Sequence, residues 1–100
     1  MYAMVGKLTA QSGKREDLIK ILLRAASTVS GLSGCRSYIV NEDVADPAAI
    51  WVFEVWDDKE SHDASLKDQW VRALISEAMP LMAGPPEGSE LKVAGGHGLT

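Results

Sequence analysis

Few residues in this chain announce a chemistry. Only one cysteine, Cys35, is present, so no intrachain disulfide can form. A reducing cytoplasm is the compartment that suits such a chain. There is no CxxC, no HExxH, no Walker loop and no GxGxxG turn. The sequence signatures of disulfide exchange, zinc proteolysis and nucleotide binding are therefore missing. Two histidines, His62 and His97, cannot build a three-ligand zinc site without carboxylates, and nothing spaces them with Cys35 as a metal motif. No feature is recognisable as a flavin, haem or metal site, so the expected cofactor set is none. Basic runs are absent too: 10 Lys and Arg are scattered among 14 Asp and Glu, for a net charge of −4. That pattern speaks against a nucleic-acid partner. No apolar stretch approaches the roughly 20 residues of a membrane span. The alternating start, Met1 to Thr9, lacks the apolar block of a signal peptide. Neither an internal repeat nor a low-complexity linker is visible.

What is there is a folded composition: 46% apolar and 24% charged over 100 residues. One domain, residues 1–100, is expected. A chain this short buries roughly 60–65% of its unfolded surface. The generous apolar fraction then leaves a surplus that a second copy would cover.

Tyr2 to Thr9 predicts a strand, closed by the turn signal Gln11-Ser12-Gly13. Gly13 to Ser30 predicts a helix, with Gly13 as a possible cap, Glu16 and Asp17 in the first turn, and Leu18, Leu22, Ala25 and Val29 on one stripe. Cys35 to Asp43 and Ala49 to Trp56 read as a hairpin around Asp46-Pro47. In its first strand Cys35, Ser37, Ile39 and Asn41 should share a face, opposite Arg36, Tyr38, Val40 and Glu42. Both faces of Ala49–Trp56 are largely apolar, so both should be covered. Asp57 is expected to cap a short second helix, with Glu60 completing a capping box. A third helix is expected from about Asp68 to Met79, stopped by Pro80. Glu87 to Gly95 closes as a strand. The result is α+β with the ferredoxin-like order β-α-β-β-α-α-β. Helices cover only one face of such a sheet. Packing a second sheet against the other face predicts a homodimer, a dimeric α/β barrel.

Reactive groups are few. His62 lies one turn into the second helix, and an unperturbed histidine titrates near neutrality. It fits either a general base at a pocket rim or a solvated helical residue; burial beside Trp56 would favour the first. Trp56 ends a strand next to that helix and is a candidate pocket wall. Tyr38 and Asn41 are candidate donors to a bound oxygen atom. Glu54 is either a buried acid or, the favoured alternative, a partner of Lys7 or Arg36. Cys35 is read as core packing rather than a nucleophile, and His97 as a tail or dimer contact.

Several segments, in order, carry a likeness to a known family. They are Gly13-Lys14-Arg15-Glu16-Asp17-Leu18, Gly34-Cys35-Arg36-Ser37-Tyr38, Phe53-Glu54-Val55-Trp56-Asp57-Asp58-Lys59-Glu60-Ser61-His62, Met79-Pro80-Leu81-Met82-Ala83-Gly84 and Gly95-Gly96-His97-Gly98. Over nearly its whole length the chain resembles the antibiotic biosynthesis monooxygenase family, which includes proteins assigned as quinol monooxygenases. The resemblance implies a dimeric α/β barrel with a pocket between sheet and helices. It also implies cofactor-free oxidation of a small quinol-like or polyphenolic aromatic substrate by O₂. Many members carry histidines where Ser65 and Trp70 stand; here His62 would be the base. The haem-degrading branch expects asparagine, tryptophan and histidine where Gly6, Ser65 and Ile75 stand, which argues against haem degradation. The alternative reading is a non-catalytic dimeric barrel that binds a ligand or serves in stress.

Overall fold

The computed structural model describes residues 1–99. Its elements are β1 (Tyr2–Thr9), α1 (Arg15–Val29), β2 (Cys35–Glu42), β3 (Ala49–Trp56), α2 (Lys59–Ser65), α3 (Gln69–Ala78), a 3₁₀ turn (Met79–Leu81) and β4 (Glu87–Lys92). The four strands form one antiparallel sheet in the order β2-β3-β1-β4. That is the ferredoxin-like arrangement, with β1 and β3 in the centre and β3 apolar on both faces but for Glu54.

Register decides which residues meet the helices. Met4, Glu54 and Tyr38 are cross-strand neighbours, as are Tyr2, Trp56 and Cys35. The pairs Leu8–Ile50 and Gly6–Val52 continue the same face. Ile50 and Val52 pack beneath Leu18 and Leu22 of α1 and Ala78 of α3 in one apolar cluster. Tyr2, Val29, Trp56 and Val71 form a second cluster at the other end of the sheet. Opposite them lies the bare face, where Ile39, Phe53 and Leu91 are 51%, 44% and 45% exposed.

Local chemistry explains most element ends. Arg15 anchors α1 to the hairpin by donating to the carbonyls of Asp43, Asp46 and Ala49. Inside the hairpin, Asp43 accepts from the amides of Ala45 and Asp46 and from Trp51 Nε1 at 2.8 Å. These bonds hold its carboxyl below the usual range, Trp51 contributing most. Asp68 caps α3 through Trp70 N and Val71 N. Pro80 sits in the 3₁₀ turn, where its missing N–H costs no α-helical bond.

Several expectations shift. The first helix opens at Arg15 without a side-chain cap, because Lys14, not Gly13, stands at the cap position and has no acceptor to offer; Gly13 takes φ 75° in the preceding turn. The second is capped by Asp58, not Asp57: Asp58 accepts from Ser61 N at 2.8 Å, while Asp57 pairs with Arg36. The last strand stops at Lys92 rather than Gly95. In β2 a register shift between Cys35 and Ser37 breaks the simple alternation. One extra residue there puts Cys35 on the same face as Tyr38 and Val40, not with Ser37, Ile39 and Asn41.

Candidate active site

The two apolar clusters do not merge. Between them, under the helix layer, lies the row Met4–Glu54–Tyr38, and all three residues keep partial exposure although they belong to the middle of the sheet. Tyr38 packs against both clusters. The result is a seam open to solvent, floored by the sheet and closed at one end by Trp56.

Trp56 is fully buried. Its indole Nε1 donates to Glu54 Oε1 at 3.1 Å. His62 reaches the same place from α2. Capping by Asp58 starts the helix so that positions 62 and 65 face inward, and Gly34 lets Ser61 come close to the loop before β2. The His62 ring is 6% exposed. It lies edge-on to Trp56 at 5.9 Å between centroids, and tilted against Tyr2 at 5.1 Å. His62 Nδ1 is 3.0 Å from Asp63 Oδ1. This bond, and more weakly Lys59, hold the Asp63 carboxyl below its usual range, so Asp63 is an anion that can only accept. The proton therefore sits on Nδ1, and Nε2 of the neutral ring carries the free lone pair. Ser65 is buried as well, its hydroxyl donating to the His62 carbonyl.

Tyr38 presents its phenol to the seam without a hydrogen-bond partner among the described residues. Burial above all, then the Glu54 and Cys35 charges, push its pKa well up, so it stays a neutral donor. Glu54 has no cation partner among the described residues. The expected ion pair with Lys7 or Arg36 does not form: Lys7 lies on the bare face, over the Trp51 ring, and Arg36 is held by Asp57. Burial pushes the Glu54 carboxyl up, against the opposing pull of Trp56 Nε1–H and His62.

Three of the four candidate residues, His62, Trp56 and Tyr38, thus share one face of the sheet. Asn41 does not join them. It pairs with Trp51 on the bare face, and its amide donates to the carbonyls of Ile39 and Trp51. Regular alternation after Ser37 puts it there, across the sheet from the seam. Cys35 lies at the end of the helix-facing side, its thiol pushed up by burial. His97 is exposed in the tail. Among the described residues no three His, Cys, Asp or Glu side chains are grouped to hold a metal ion. A surface concavity of about 380 Å³ opens at the sheet edge beside Tyr2, Lys59 and Glu90. Its polar groups satisfy each other, Tyr2 Oη and Lys59 Nζ both donating to Glu90.

The profile of the antibiotic biosynthesis monooxygenase family matches residues 1–76. The chain belongs to that family. A crystal structure of a candidate antibiotic biosynthesis monooxygenase from Chloroflexus aurantiacus is 44% identical, covering 99% of this chain and 98% of its own, with a TM-score of 0.89. A second candidate of that kind, from Deinococcus radiodurans, shares the fold at 21% identity, covering 100% and 99% with a TM-score of 0.86. A third, from Nitrosomonas europaea, does so at 14% identity, covering 94% and 99% with a TM-score of 0.88. No protein of curated function matches the chain. Membership and the Chloroflexus relative support a monooxygenase-type function in general terms. Asp63 is the site group that the sequence pattern did not single out, and Glu54 is the buried acid that the sequence offered as the less favoured alternative. Its position marks Glu54 out: it is the one charged residue on an otherwise apolar strand.

Proposed function

We propose that this protein is a cofactor-independent monooxygenase that oxidises a small electron-rich phenol or hydroquinone with O₂. The observation that carries the proposal is the buried His62 ring, edge-on to Trp56, with Nδ1 tied to Asp63 and Nε2 left as the acceptor. His62 is the base that takes the phenolic proton. Trp56 is the wall against which the ring lies, and the Tyr38 hydroxyl donates to the substrate oxygen. The resulting anion gives an electron to O₂ far more readily than the neutral phenol does. Apolar walls around it slow the entry of water, and a fixed donor at the oxyanion favours charge where it develops.

The working unit in this proposal is a homodimer in the cytoplasm. Ile39, Phe53 and Leu91 stand exposed on the bare sheet face, and a second sheet would cover them. Asn41 belongs to that face and acts there rather than on substrate. The test is oxygen uptake with a panel of hydroquinones and anthrones, comparing wild type with His62→Ala. Wild type should turn over at least one of them, with a rate that falls in acid, because only a neutral imidazole accepts a proton. The variant should be slower by roughly 10²–10⁴, the usual worth of a general base. An active His62→Ala with unchanged pH dependence would remove His62 from the chemistry. No uptake by wild type with any substrate would favour a binding domain instead.

A further inference from the structure

A base alone leaves one group of the seam without work. Glu54 is set among Met4, Tyr38 and Trp56, with one oxygen on Trp56 Nε1 and the other without a protein partner among the described residues. A carboxylate held in such surroundings usually has an arginine or lysine beside it; here the nearby cations are engaged elsewhere. The titratable groups that face it are Tyr38 and Cys35 from β2 and His62 from α2; β1 contributes only Met4. Glu90, beyond Met4 on β4, is occupied by Tyr2 and Lys59. Tyr38 and Cys35 are both pushed up by burial and remain neutral, so His62 is the one neighbour of Glu54 built to accept a proton. Burial favours the protonated carboxyl of Glu54. Two proton-transfer groups, one built as acceptor and one as donor, thus flank the Trp56 indole.

We propose that Glu54 is the site's proton donor to reduced oxygen, working across the Trp56 indole from His62. The proposal rests on the oxygenase reading above and adds the group that reading lacks. For a phenol-activated methylene, R₂CH₂, the steps balance as follows. His62 takes one proton and leaves the carbanion, which is also the phenolate tautomer. That anion passes one electron to O₂, and the two radicals combine to form a C–O bond, giving R₂CH–O–O⁻. Glu54 gives its proton to the terminal oxygen, forming the hydroperoxide and a carboxylate. The carboxylate removes the remaining C–H proton as the O–O bond breaks; carbon becomes C=O and hydroxide leaves. The proton held on His62 turns hydroxide into water. The sum is R₂CH₂ + O₂ → R₂C=O + H₂O, with both side chains restored.

The test is the pH profile of oxygen uptake with an anthrone, for wild type, Glu54→Gln and Glu54→Asp, each checked for wild-type circular dichroism. Wild type should lose rate in acid, where an imidazole cannot accept a proton, and again in alkali, in a falling limb where the Glu54 carboxyl has no proton to give. Glu54→Gln keeps an acceptor for Trp56 Nε1, so it should fold. It should lose the falling limb and roughly 10²–10⁴ of the rate, yet still form the bound substrate anion by absorbance. Glu54→Asp should keep a falling limb at reduced rate, and serves as the test if the glutamine variant fails to fold. A Glu54→Gln enzyme with wild-type rate and limb, or a folded aspartate variant without a limb, overturns the role of Glu54 and leaves the oxygenase reading standing. Wild type without uptake overturns both.

Discussion

Replacing Trp56 by phenylalanine separates packing from electrostatics at the seam. Trp56 is fully buried and donates its only N–H to Glu54. Phenylalanine fills most of the space but leaves a void of roughly 40 Å³; at about 24 cal/mol per Å³ that costs about 1 kcal/mol, and the lost apolar contact adds about 1 more. The hydrogen bond adds about 0.5–1.5 kcal/mol when Glu54 is protonated and about 1.5–3 kcal/mol when it is a carboxylate. Burial raises the Glu54 pKa in the folded protein above its ordinary 4.5. Its contribution to stability is therefore complete below that ordinary value and is lost as pH rises through the folded pKa. Trp56 Nε1–H opposes this rise, so removing it moves the folded pKa higher and enlarges the loss. Urea denaturation at fixed protein concentration should show Trp56→Phe weaker by about 3 kcal/mol where Glu54 is protonated and by about 1 kcal/mol more where it is a carboxylate, the deficit growing as pH rises through the loss of that proton. A deficit that stays constant or shrinks as pH rises would mean that the indole does not bond a titrating Glu54.

Two other perturbations test the frame around the site. Gly34 holds φ 86°, and a Cβ there would lie 2.6 Å from Ser61 Cβ; Gly34→Ala should cost about 2–4 kcal/mol from left-handed strain plus overpacking. Adding Ser61→Gly should return the overpacking part only, and a thermal melt of Gly34→Ala lying within a degree or two of wild type would contradict the close approach. Light scattering should find wild type at twice its 10.8 kDa chain mass and Phe53→Asp at the single-chain mass, because a charge would have to be buried at the sheet–sheet contact; a monomeric wild type at micromolar concentration would refute the barrel.

The central strands were readable because they are short apolar runs bounded by turn signals: Tyr2–Thr9 and Ala49–Trp56 end in the structure where those runs end. The α1 stripe Leu18, Leu22, Ala25 and Val29 is likewise the buried set. Pattern failed where a single residue changes phase. The bulge after Cys35 cannot be seen in alternation alone, and it moves Cys35 to the face of Tyr38 and Val40; that Tyr38 and Asn41 occupy opposite faces was already legible from their odd spacing. The cap moved from Asp57 to Asp58 because Arg36, distant in sequence, claims Asp57. In α2 the buried positions are His62 and Ser65 while Leu66 is 48% exposed, the reverse of what hydropathy suggests. Backbone packing at Gly34 sets that helix's orientation, and burying a histidine instead of a leucine is a cost that function explains better than stability does. Glu54 was legible as an anomaly, but its lack of a cation partner needed the register: Lys7 alternates to the other face, over Trp51.

The most direct measurement is turnover of a hydroquinone or anthrone under ¹⁸O₂ by protein dialysed against chelator, with no flavin, haem or metal added. The expected result is oxygen consumption matched to substrate, one ¹⁸O atom in the product, and loss of both in His62→Ala. Turnover that appears only when a flavin, haem or metal is restored, or no oxygen consumption with any of these substrates, would contradict a monooxygenase that works with its own side chains alone.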